Sequence, residues 1–308
     1  MHFLNKNNPV YSIDSNIDPI LSVQPWEEIT IELTNAFWKS FQTVKDFEAF
    51  MSPDNDEHKK AFNHPCAWPI RVLTQEENIS LEIEILDIKA TRGYQCISRS
   101  TWFLKDIFEE RKCEIFDVDN GKIKIWEGDI LLSWKPKLGF VSTVDQEVRS
   151  VGRCSKNWWN MDLNYLDKWS KIYLPVNFNE PRVIFWDLHI CQWNGEAAGM
   201  WIEADGEIRV KINIIDKIDV PFIDDKHRII IVWWWEESEW AQRESVQNAL
   251  IYLRRLFPFS DWNDEEIYKF ISAEGNIVIW NGTWKVKTCW LVFYKSRILN
   301  KYSYKVFL

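Results

Sequence analysis

The run Ile229-Ile230-Ile231-Val232-Trp233-Trp234-Trp235 leads through Glu236-Glu237-Ser238 into a segment where Val246, Ala249, Leu250, Leu253 and Leu256 or Phe257 recur at three and four residues until Pro258. The first part reads as one strand covered on both faces, and the second as one face of a helix. Proline ends that helix, because it has no amide hydrogen and its ring clashes with the preceding turn. A second helix is predicted from Asn263, whose side chain can cap the amide three positions on while Glu266 reaches back. Its buried face would be Ile267, Phe270 and Ile271. Strands resume at Ile277 to Trp280 and Val286 to Phe293.

Upstream of this region the period is two: Ile29, Ile31 and Leu33; Ile79, Leu81, Ile83 and Ile85; Ile123 and Ile125; Ile208, Val210 and Ile212. Such alternation predicts strands with one wet face. Only Phe37, Phe41, Val44 and Phe47 break it, at a spacing that predicts a short amphipathic helix before Pro53. The reading is an α+β, mostly β chain: a sandwich- or barrel-like body over 1–225 and a C-terminal strand-helix-helix-strand cap over 226–308. Without regular strand-helix alternation, Rossmann and TIM folds are excluded.

With 46 Asp+Glu against 37 Lys+Arg the formal charge is −9. No dense cationic segment is present to release counterions from a phosphate backbone, so nucleic acid is not an expected partner. No apolar run is long enough to cross a membrane as a helix, and the N-terminus lacks a basic segment followed by an apolar one, which predicts a cytoplasmic protein. The six cysteines are dispersed and never form a Cys-x-x-Cys pair. They read as reduced, mostly buried thiols. The composition also holds 20 Trp and only 10 Gly. Their scatter assigns most of the tryptophans to the core rather than to a stacking surface, and the lack of glycine leaves few unstrained positive-φ positions.

Polar groups crowd between positions 162 and 196: Asp162, then Asp187 and His189, then Gln192 and Glu196. On a strand, positions 187 and 189 share a face, so a carboxylate and an imidazole would project together. That pair suits a divalent metal with mixed oxygen and nitrogen ligands and an open position. The alternative is a surface pair on a wet strand face.

Several stretches together resemble the acetamidase/formamidase family. Trp158-Trp159-Asn160-Met161-Asp162 is similar to that family's Gly-Gly-Asn-Met-Asp, and Tyr173-Leu174-Pro175-Val176 to a strand ending Leu-Pro-Val. Trp186-Asp187-Leu188-His189 stands for Gly-Asp-Gly-His, Gln192-Trp193-Asn194-Gly195-Glu196 for Gln-Gly-Asp-Gly-Glu, and Gly199-Met200-Trp201-Ile202-Glu203 for Gly-x-x-Ile-Glu. Earlier, Val23-Gln24-Pro25-Trp26-Glu27 resembles Val-x-x-Gly-Asp, and Pro65-Cys66-Ala67-Trp68-Pro69 resembles Pro-x-x-Gly-Pro. The likeness runs along the whole chain. Its ligand-type side chains are kept while tryptophan or Leu188 replaces glycine, which would narrow a pocket or shift its loops.

The resemblance implies hydrolysis of a small amide, such as formamide or acetamide, to carboxylate and ammonia. It makes Asp162, Asp187 and His189 the metal ligands, with zinc the expected ion and calcium the alternative. Glu196 would be the general base and Gln192 would orient the substrate amide. His64 reads as a loop residue before proline. Tyr94 and Glu203 could stand behind the ligands, with core or surface roles the ordinary expectation. Cys191, between His189 and Gln192, could touch the site. The implied partners are a small amide and further copies of the chain in a homo-oligomer. No Gly-x-Ser-x-Gly elbow or Ser-Lys amidase segment competes. Two other readings remain open: an inactive structural descendant with a tryptophan-filled pocket, and a tryptophan-lined carbohydrate-binding module.

Overall fold

The computed structural model describes residues 1–7, 9–52, 54–57, 65–97, 104, 107, 111–118, 122–125, 130–133, 135–146, 148–150, 163–191, 194, 198, 200–256, 262–279 and 287–298. The N-terminal half holds β1 (His2–Leu4), β2 (Ser12–Ile13), β3 (Leu21–Val23), β4 (Glu28–Leu33), α1 (Val44–Phe50), β5 (Ile70–Val72), β6 (Ile79–Ile97), β7 (Lys112–Asp117), β8 (Lys122–Ile125), β9 (Ile130–Ser133), β10 (Lys137–Thr143) and β11 (Arg149–Ser150). The remainder comprises β12 (Lys171–Pro175), β13 (Arg182–His189), β14 (Glu203–Asp216), β15 (Phe222–Asp224), β16 (Arg228–Trp235), α2 (Ser238–Leu256), α3 (Asp264–Glu274), β17 (Asn276–Ile279), β18 (Lys287–Tyr294) and α4 (Lys295–Ile298). The mostly-β, α+β reading holds.

Among the described residues, 14 strands join one mixed sheet whose main path runs β17-β18-β16-β15-β12-β6-β14-β13-β5-β3. Its centre is the long antiparallel pairing of β6 with β14, from Glu203↔Tyr94 to Asp216↔Ile79. Register shifts there between Asp205 and Gly206. A side chain at Gly206 would lie 2.0 Å from the Lys89 carbonyl oxygen and 2.5 Å from a Leu188 methyl, so the close approach requires glycine. The sheet turns a corner between β14 and β13. Their register consists of one pair, His189↔Glu203, after which β13 continues against β10 and β5. The side chains that become the candidate site lie at this seam.

β16 is covered on both faces through Val232, as its apolar run predicts. Ile230 and Val232 belong to the main core with Trp290 and Val292. Ile229 and Ile231 face a second core with Ala249 and Leu253 of α2, Ile267 and Ile271 of α3, and Leu291 and Phe293 of β18. Exposure then rises to 42% at Trp235. Asn263 caps α3 as predicted: its side chain accepts from the Glu266 amide at 3.0 Å, and Glu266 accepts from the Asn263 amide at 2.8 Å.

Two expectations differ from the structure. The helix predicted from Phe37 begins only at Val44, because Thr43 and Asp46 form a capping box that fixes its first turn. Phe37 and Phe41 precede it but still pack on Phe47, at 4.8 and 4.7 Å between ring centroids. The other difference is the start of β6, which lacks the predicted wet face, and the burial of β13 rules out the alternative of a surface pair at Asp187 and His189. Ile79 to Ile83 are buried throughout, and so is all of β13 from Arg182 to His189, whose side chains enter two core clusters.

Candidate metal centre

Burial of β13 turns the Asp187–His189 pair from a surface feature into a charged group inside the protein. His189 Nε2 lies 3.1 Å from Asp187 Oδ1 and 3.4 Å from Glu203 Oε2. One ligand atom from each residue lies within 4.8 Å of the others, and all three side chains are buried. Asp187 has φ 71°, so the strand is locally distorted where the carboxylate enters the site. Glu203 arrives across the seam, through its pairing with His189.

These distances have a simple geometric meaning. Ligands about 2.0–2.1 Å from a tetrahedral zinc ion are separated from one another by about 3.3–3.4 Å. A single imidazole N–H, in contrast, cannot serve two carboxylates well. Glu203 Oε2 makes no well-aligned hydrogen bond, and His189 Nδ1 has no partner among the described residues. Burial alone would lower the His189 pKa, but Asp187 and Glu203 outweigh it and hold the imidazolium well above its ordinary range. The Glu203 carboxyl is pushed up by burial and then by Asp187, with His189 opposing. Two buried carboxylates share one weak cation, a charge pattern that a divalent ion would complete.

The surroundings are apolar and tight. Trp186 is buried edge-on against Phe140, 6.0 Å between centroids. Leu188 packs on Gly206. The Cys66 thiol, fully buried, is pushed up by burial and by Asp187. Burial also raises the half-buried Cys191 thiol, against Lys135. Tyr94 pairs in register with Glu203 but donates its hydroxyl to Asp205 Oδ2 at 3.2 Å. Its place is in the neighbouring aromatic cluster.

Of the residues singled out in the sequence, Asp187 and His189 come together, and Glu203 joins them as an equal member. The signal for Glu203 was the last residue of the Gly-x-x-Ile-Glu pattern. Asp162, Gln192, Glu196 and His64 lie outside the described residues.

The profile of the Acetamidase/Formamidase family matches residues 136–227, which include all three clustered residues. No curated protein matches the chain. A predicted acetamidase/formamidase from Thermoanaerobacter tengcongensis shares the fold, with a TM-score of 0.84 at 20% identity over 98% of this chain and 97% of that one. Acetamidase from Bacillus halodurans gives 0.84 at 19% identity, covering 96% and 98%. Acetamidase from Yersinia enterocolitica gives 0.81 at 19%, covering 97% and 93%. The fold is thus common to the whole chain, and the likeness to the Acetamidase/Formamidase family profile lies over the seam that carries the three clustered residues.

Proposed function

We propose that the protein is a metal-dependent hydrolase of small linear amides, of the formamide and acetamide class, releasing carboxylate and ammonia. The match of residues 136–227 to the Acetamidase/Formamidase profile supports the amide class. The metal rests on one observation: Asp187, His189 and Glu203 present buried ligand atoms within 4.8 Å of one another, His189 Nε2 lying 3.1 and 3.4 Å from the two carboxylates, and Glu203 Oε2 lacks a good hydrogen bond. Two oxygens and one imidazole nitrogen favour zinc over calcium, which takes six to eight oxygens. A divalent ion bound there would polarise the amide carbonyl and acidify water.

The chain's own residues supply the rest of the chemistry. Asp187, His189 and Glu203 would hold the ion, with Asp162 proposed as a further ligand from the sequence. Gln192 orients the amide through its side-chain carboxamide. Glu196 takes the proton from the attacking water and gives it to the departing nitrogen. The three side chains that would hold the ion are themselves buried, which keeps bulk water from them. The fully buried indole of Trp186, next in sequence to Asp187, favours a second reading, an inactive descendant.

Metal analysis and ammonia release decide between them. Glu196→Gln should lower ammonia release at least about a hundredfold, with metal content and fold intact. If the protein binds metal yet neither it nor Trp186→Gly/Leu188→Gly releases ammonia from formamide, acetamide or propionamide, amidase chemistry is excluded. Activity gained only in the double variant establishes the inactive descendant.

A further inference from the structure

Tryptophan stands repeatedly where the backbone calls for glycine. Among the described residues, the non-glycine positions with left-handed φ are Trp26 at 70°, Trp38 at 52°, Asn78 at 55°, Trp169 at 71° and Asp187 at 71°. Asn and Asp tolerate that region through their short polar side chains, whereas a bulky residue there is an outlier. Trp26 and Trp169 also hold the same place in two turns. Glu27 N–H donates to Gln24 O at 3.2 Å and Ser170 N–H donates to Asp167 O at 3.1 Å. Each tryptophan is the third residue of its turn, where a type II turn needs positive φ and selects glycine. Their indoles are 52% and 59% exposed, so little packing offsets the strain.

The family pattern gives a second set, read from sequence alone. Where its glycines are replaced, they appear here as Trp26, Trp68, Trp158, Trp159, Trp186 and Trp193, with Leu188 the exception, while Gly195 and Gly199 are kept. Trp26 belongs to both sets. Separate replacements of glycine would fall mostly on Ala, Ser, Asn or Asp, which fit best. Recurrence of the largest side chain instead points to one change in how a codon is read. It also accounts for 20 Trp beside 10 Gly.

We propose that the codon behind these tryptophans is UGA, and that the cell making this protein decodes it as glycine. The working polypeptide then carries glycine at 26, 38, 68, 158, 159, 169, 186 and 193. Glycine at 186 and 193 removes two indoles flanking the metal ligands in sequence and opens the ground an amide would need. Trp290, fully buried and edge-on to Tyr165 at 5.4 Å, is a true core tryptophan.

The inference goes beyond the amidase reading, and its test reads residue identity rather than activity. The protein isolated from its own cells should weigh less than 37.0 kDa. Peptides spanning 24–27 and 167–170 should be lighter by the tryptophan-to-glycine difference, while the peptide holding Trp290 keeps its mass. Tryptophan at 26 or 169 in the native peptides overturns the proposal, as do UGG codons at those positions. In recombinant protein, Trp26→Gly with Trp169→Gly should raise the Tm. An unchanged or lower Tm defeats the turn argument.

A different observation concerns Cys96 and Cys113. They are directly paired across β6 and β7, both are buried, and the Cys113 thiol donates to Cys96 Sγ at 2.8 Å. Directly opposed residues of antiparallel strands have Cα atoms about 4.5–5.5 Å apart, within the range of about 4.4–6.8 Å that a disulfide spans. The hydrogen bond from Cys113 and the charge of Arg111 favour the Cys96 thiolate, against burial. We infer that this pair is a reversible peroxide-responsive disulfide. Cys96 attacks hydrogen peroxide to give a sulfenic acid and water. Cys113 then displaces a second water as the S–S bond forms, so two thiols and one peroxide give one disulfide and two waters.

Mass spectrometry of the full chain after mild peroxide should show a Cys96–Cys113 cross-link that a dithiol reverses. In Cys113→Ala, Cys96 should be trapped as sulfenic acid by a cyclic dione. Free thiols at both positions after peroxide, or cross-links confined to other cysteines, overturn the assignment. The wild-type measurement decides even where the variant does not fold.

Discussion

Glu203 and Asp205 sit two residues apart on β14, each 5% exposed, yet their carboxylates have opposite surroundings. Asp205 Oδ1 accepts from the Asn35 backbone at 3.2 Å and from Asn35 Nδ2 at 3.0 Å, while Oδ2 accepts from Ser40 at 2.7 Å and Tyr94 at 3.2 Å. Lys6 adds a charge 3.7 Å away. Glu203 instead faces Asp187 and shares a single imidazole with it. A buried carboxylate saturated by neutral donors ties the fold together. One that confronts another carboxylate is stable only with added positive charge. Burial alone therefore does not identify a site; the donor inventory does.

The largest effect that separates the two should come from Asp205. Asp205→Ala leaves the Asn35, Ser40 and Tyr94 donors without their acceptor, and should cost about 3 kcal/mol or more in urea unfolding. Its metal content should be unchanged. Glu203→Gln should do the reverse, losing the metal while altering metal-free stability by less than about 1 kcal/mol, because it removes a charge that Asp187 opposes. Equal stability losses in the two variants would erase the distinction between them.

Chelation gives the next effect. With free metal at about a hundred times its Kd, the loaded protein should be about 2.7 kcal/mol more stable than the chelated one. Asp187→Asn should show little of that difference in parallel melts. An undiminished shift in the variant would place the ion elsewhere in the chain.

Local rules made part of this legible. The cap of α3 and the period of α2 depend on neighbours three and four residues away, and both are where the spacing put them. Asp187 and His189 were visible as a pair because strand geometry relates i to i+2. Their burial was not visible, since the pairing and packing of strands distant in sequence create it. Glu203 pairs with His189 only through the seam, so strand periodicity could not reveal its partner, although it closes a motif. Thr43 and Asp46 overrode the apolar spacing that began at Phe37, a case of capping chemistry outweighing periodicity.

The smallest effect tests the satisfied half of the comparison through Tyr94. Burial first, and the nearby Asp205 charge second, push its phenol up to about 12, against about 10 for an unperturbed tyrosine. The folded state thus holds a proton that the unfolded chain releases from about pH 10, so unfolding becomes easier as pH rises. The contribution is present in full below pH 10 and is lost as pH passes through about 12, amounting to at most about 2.7 kcal/mol. Tyr94→Phe should be less stable by about 1 kcal/mol at pH 9, from the lost hydrogen bond to Asp205. Its stability should then fall less steeply than wild type between pH 10 and 12, so that the two curves converge and cross. Parallel curves would mean that the phenol is not held by Asp205, and the donor count that distinguishes Asp205 from Glu203 would lose one of its members.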